Sequence, residues 1–149
     1  MEDQRERLLY CATALLLIKK KKKEVWVKDW LQKREDKGSF ANICKELTMS
    51  KDEKDFRLYV RMPVPQFYKL LDKISPLIAK EDTRFRQAIS VGSRLEATLR
   101  FLATGDSYVS LQYSTRISRH SLGIIIPETC QAIYQVLRGE YLKMSFGGE

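Results

Sequence analysis

At 149 residues, with 44% hydrophobic content, the chain is long enough to bury one core and too apolar to be disordered over most of its length. Lysine and arginine total 27 against 19 acidic residues, a formal charge of +8 that favours a polyanionic partner. Cys11, Cys44 and Cys130 lie far apart beside a single histidine, which supports neither a disulfide framework nor a zinc site, and reduced thiols are expected.

The apolar run Leu8 to Ile18 falls short of the roughly 20 residues that a spanning helix needs. Five lysines follow it, Lys19, Lys20, Lys21, Lys22 and Lys23, where a signal peptide would carry small residues for cleavage. Leu8, Leu9, Ala12, Leu15, Leu16 and Lys19 share one helix face, expected to cover the body of the protein or another copy. A basic helix held reversibly at a membrane surface is the minor alternative. The lysine run reads either as a solvated face or as a nuclear-import signal.

A helix is expected from Val25 to Asp36, with Trp26 and Trp30 one turn apart, expected as core, a binding surface being the lesser alternative. Gly38 ends it, and Ser39 can cap a short helix carrying Phe40, Ile43 and Leu47. Ser50 or Asp52 starts the next helix, with Phe56, Leu58, Tyr59 and Val60, until Met62-Pro63-Val64-Pro65 breaks it. From Pro65 the spacing of Phe67, Leu70, Leu71 and Ile74 predicts an amphipathic helix, with Pro76 near its end. Lys80 to Gln87 is polar and reads as a linker or exposed loop.

The most informative stretch follows. Ser90 or Ser93 can cap a helix in which Leu95, Leu99 and Leu102 align, and Gly105 suits its left-handed end. Asp106 or Ser107 caps a second helix with Tyr108 and Leu111 inward. Ser118 caps a third, whose stripe is Leu122, Ile125, Ile126, Cys130, Ile133 and Leu137. Pro127 either kinks that helix or ends it and opens a new one. This succession is that of a helix-turn-helix. Arg119 and His120 are then placed to reach base edges, with Arg116 and Ser118 or Ser121 holding phosphate. The plainer reading is a three-helix core in which Arg119 caps a neighbouring helix and His120 is solvated. Between Arg84 and Ser121 the cations are all arginine: Arg84, Arg86, Arg94, Arg100, Arg116 and Arg119. Their planar forks suit phosphate and guanine, or carboxylates within the fold.

Metal-dependent phosphodiester cleavage needs clustered carboxylates. The acids here are scattered among lysines and arginines on helix faces, and no phosphate-binding glycine loop is present. No enzyme activity, metal or cofactor is expected of this chain.

The segments LRFLATGDS (Leu99 to Ser107) and IIPETC (Ile125 to Cys130), within a stretch from Trp26 to Met144, resemble the N-terminal region of the PIF/Harbinger transposase-derived nuclease family. Related proteins described as antagonists of like heterochromatin protein are similar too. The resemblance implies a helical region bearing a helix-turn-helix ahead of an RNase H-like nuclease domain, whose catalytic acids have no counterpart here. A truncated copy, a fragment or an incomplete gene product is therefore expected, and nuclease activity is not carried over. Family members also often rely on a Myb-like partner for DNA recognition and nuclear entry. Where the family usually has a second hydroxyl residue after the turn, this chain has His120.

The expected architecture is all-α: an N-terminal apolar and basic helix (1–24), a helical subdomain (25–80) and a helix-turn-helix subdomain (90–144). The expected function is binding of double-stranded DNA in the nucleus, with the cytoplasm as a second location and no membrane partner. The rival is a protein-interaction module for self-association or docking of a Myb-like partner.

Overall fold

The structure, a computed structural model, describes residues 27–84 and 87–141. The expectations for the N-terminal apolar run, for Lys19 to Lys23 and for Trp26 lie outside the described residues.

Those residues form an all-α fold. Two single turns, α1 (Asp29–Gln32) and α2 (Arg34–Lys37), lead into a π-helical turn (Phe40–Cys44) that runs on as α3 (Lys45–Met49). Then come α4 (Glu53–Val60), α5 (Val64–Ile78), α6 (Val91–Thr104), α7 (Tyr108–Thr115) and α8 (Arg119–Tyr141). The single helix expected up to Asp36 is thus interrupted, because Lys33 leaves helical geometry at φ −79°, ψ 22°.

Side-chain oxygens cap four of the longer helices. Asp52 accepts from the backbone N–H of Lys54 at 2.9 Å, and Ser90 from that of Ser93 at 3.3 Å. Ser107 accepts from Ser110 at 3.2 Å and Ser118 from Ser121 at 3.1 Å. Each bond satisfies a donor that a helix start leaves without an internal acceptor. Gly105 closes α6 at φ +69°, its N–H bonded to the Phe101 carbonyl, a conformation that only glycine adopts cheaply. Helix α8 continues through Pro127 as one element. The bond lost to the Gly123 carbonyl falls on an exposed stretch, where water can replace it.

The core is two clusters that share helices. One gathers Phe56 and Val60 of α4, Phe67, Leu70, Ile74 and Ile78 of α5, Leu95 and Leu99 of α6, and Ala132 of α8. The other gathers Ile89, Ala97 of α6, Leu111 of α7, Ile117, and Leu122, Ile125 and Ile126 of α8. Helices α6 and α8 therefore belong to both, and every residue from Gly92 to Leu99 is buried. In the segment expected as a linker or loop, the described residues 80–84 and 87 are exposed, and two of its residues are tied to their surroundings. Lys80 reaches Glu128 at 2.6 Å, and Asp82 accepts from the Ala88 N–H at 2.7 Å.

Several side chains turn out differently from their expected faces. The π turn inserts an extra residue into the helical repeat, so Cys44 is buried and Ile43 is 46% exposed. The turn is pressed against α6 by Phe40, whose ring lies where a side chain on Gly92 would be, 2.1 Å from the position of a Cβ. Leu58 and Leu102 face solvent instead of joining their stripes. Ser39 does not cap a helix; its hydroxyl turns into the protein.

Candidate nucleic-acid interface

The corner between α7 and α8 is three residues long, Arg116, Ile117 and Ser118. Arg116 takes the left-handed conformation at φ 56° and donates its N–H to the Gln112 carbonyl at 3.0 Å. Ile117 is buried in the second cluster, and its N–H meets the Thr115 hydroxyl at 3.2 Å. The Gln112 side chain then crosses the corner to accept the backbone N–H of Arg119 at 2.8 Å. With the Ser118 cap, this fixes the first turn of α8 before any ligand arrives.

The sequence-expected contact residues separate into three roles here. Arg119 and His120 are exposed, and no described residue partners their side chains. The hydroxyls of Ser118 and Ser121 bond each other at 2.8 Å, so both shape the helix start. Arg116 turns toward the N-terminal turns. Its Nη1 donates to the Trp30 carbonyl at 2.7 Å and its Nε to the Lys37 carbonyl at 3.1 Å, with the guanidinium 6.0 Å from the Trp30 ring centre. What this geometry gives Arg116 is a positioning task. The Ser39 N–H joins the same seam by donating to the Ser114 carbonyl at 3.0 Å. Gly38 makes the seam tight enough that a Cβ there would stand 3.0 Å from the Thr115 carbonyl.

The arginine series divides along the same line. Arg94, 7% exposed in its side chain, bonds Glu128 at 2.9 Å and the Ile89 carbonyl at 3.0 Å. The Lys80 hydrogen bond first, and the two cations after it, hold the Glu128 carboxyl below its usual range. Arg100 bonds the Tyr59 carbonyl at 3.0 Å, lies 4.5 Å over the Tyr59 ring and approaches Asp106 at 3.9 Å. Arg84 also has a partner. Among the described members of the series, Arg119 is the one whose side chain has no described partner.

One polar feature was invisible in the sequence. Glu96, 1% exposed on α6, accepts the Ser39 hydroxyl at 2.9 Å and the Tyr59 hydroxyl on the same Oε1, while Oε2 is buried without a partner. Burial raises its pKa against the lowering pull of those bonds and of Arg100. Burial, then the Glu96 charge, pushes the Cys44 thiol up to about 12 and raises the Tyr59 phenol as well. A charged residue in the middle of a leucine stripe is the only sequence signal for this junction.

No described group of three or more His, Cys, Asp or Glu could hold a metal ion, and no described helix is long and apolar enough to cross a membrane. Comparison with family models, with curated proteins and with solved structures finds no match to this chain.

Proposed function

We propose that the chain binds double-stranded DNA through the start of α8, as the N-terminal module of a Harbinger transposase-derived protein acting in the nucleus. Arg119 and His120 reach base edges in the major groove, and phosphates gather around the exposed helix start. The observation that carries this reading is the isolation of Arg119. Arg94, Arg100 and Arg116 are spent on internal partners, while Arg119 stands without a described partner on a helix turn locked by Gln112 and Ser118. A pre-ordered reader gives up little conformational entropy on binding. The net charge of +8 and the resemblance in Leu99 to Ser107 and Ile125 to Cys130 support the same reading.

The test is fluorescence anisotropy of the purified chain with labelled duplex, titrated with salt. Binding should weaken steeply as salt rises, through release of counterions. Arg119→Ala should lower affinity about tenfold or more at a recognised site. Absence of binding at low salt would sink the proposal.

A second reading has its own observation. Met62, Pro65, Leu70, Leu137 and Tyr141 line an apolar groove between α5 and α8, with Lys69 and Lys73 at its edge. A Myb-like partner, or a second copy of the chain, seated there would be insensitive to Arg119→Ala.

A further inference from the structure

Beside the α7–α8 corner lies an aromatic pair that the fold holds but does not cover. The rings of Trp30 and Tyr113 are stacked, with centres 5.5 Å apart and planes 13° from parallel. Trp30 is half-buried, anchored through its carbonyl by Arg116, whose guanidinium also lies over its ring. Tyr113 is 67% exposed, and its hydroxyl and ring meet no other described partner. The outer ring keeps apolar surface in water that a stacked ligand would remove. Tyr113 lies flat on one supported side and open on the other. Tyr113 belongs to α7, the helix that leads into the proposed DNA reader, and Trp30 beneath it is tied through Arg116 to the corner before α8. Lys37, exposed and without an ion-pair partner among the described residues, is fixed at the same seam through its carbonyl.

An open, supported ring beside cations is a stacking platform for a nucleobase. Bases inside a duplex are already stacked on both faces, so the occupant has to be unpaired. We infer that Tyr113, backed by Trp30, stacks an unpaired base, and that the preferred ligand is a duplex continuing into a single strand. The duplex lies on Arg119 and His120, and the first unpaired nucleotide turns onto Tyr113. This inference rests on the DNA-binding reading above and names the substrate class for it.

The experiment compares a blunt duplex with the same duplex carrying a single-stranded extension that has 2-aminopurine at its first unpaired position. Wild type should bind the extended duplex about tenfold tighter and quench the 2-aminopurine, because stacking on an aromatic ring is worth that order of discrimination. Tyr113→Ala should erase both the preference and the quenching and leave affinity for the blunt duplex within about twofold. Tyr113→Phe should keep both, which separates ring stacking from a hydroxyl contact to phosphate. Equal affinity of wild type for the two DNAs would overturn the stacking site and leave duplex binding standing. No binding to either would remove the DNA-binding reading and the stacking site with it.

Discussion

The junction around Glu96 and the corner before α8 use similar side chains and leave them in opposite states. At the junction a serine, a tyrosine and an arginine, Ser39, Tyr59 and Arg100, close on a carboxyl that water does not reach. At the corner Ser118 caps a helix, Tyr113 lies open on Trp30 and Arg119 extends into solvent. The difference comes from neighbours, not residue type. Helix α6 is surrounded on every side along Gly92 to Leu99, so its polar groups turn to partners inside, and of the Glu96 oxygens only Oε2 goes without one. At the start of α8, Ile117 and Leu122 reach into the second cluster, while Arg119 and His120 between them face solvent. Satisfied groups hold the fold; unsatisfied exposed ones are available for function.

The largest effect should come from breaking the buried side of this comparison. Glu96→Ala removes the acceptor of two hydroxyls and should cost about 3 kcal/mol, read from the midpoint of urea unfolding. Unchanged stability would mean the carboxyl holds nothing. Next comes the tie between the two regions: Arg116→Ala orphans the Trp30 and Lys37 carbonyls and should cost about 2 kcal/mol, with faster amide exchange in residues 29–38. Arg116→Lys should recover little of this, because an ammonium lacks the fork that spans both carbonyls. A subtler probe is pH. The Glu96 pKa is higher folded than unfolded, so its contribution is full below the ordinary carboxylate value of 4.5 and is lost as pH rises through the folded value. Wild type should therefore lose stability relative to Glu96→Gln as pH rises above 4.5; a constant difference between the two would show that Glu96 does not titrate abnormally. The smallest change in stability belongs to the exposed side. Arg119→Ala should shift the unfolding free energy by no more than about 0.5 kcal/mol while DNA affinity falls, and a larger loss would mean the arginine has an internal role.

What could be read in the sequence is what is settled within a turn or two. Ser107, Ser118 and Gly105 each answer to backbone groups a few residues away, and they stand where their residue types predict. The stripe Phe67, Leu70 and Ile74 was legible for the same reason, since one helix face sees one neighbour. What escaped depends on distant chain. Ser39 has the composition of a cap, but Glu96, 57 positions away, captures its hydroxyl. Arg116 sits in the turn where a phosphate contact is expected, yet carbonyls 79 and 86 positions upstream hold its guanidinium. The π turn that trades Ile43 for Cys44 follows from the fit of Phe40 over Gly92, which no local periodicity encodes. At the corner, the exposure of Arg119 was legible, whereas the Gln112 bond that aligns its backbone was not.

The sharing of α6 and α8 between the two clusters has a consequence for how the molecule comes apart. Leu95 and Leu99 of α6 serve one cluster and Ala97 the other, so loss of α6 would open both interiors of the described fold. The amides of Gly92 to Leu99 can then meet solvent only when everything opens, and they become the slowest hydrogen-exchange clock in the protein. A nick in the loop at 80–90 would leave two pieces still clasped around one helix. The expected outcome for the described fold is one cooperative unfolding transition.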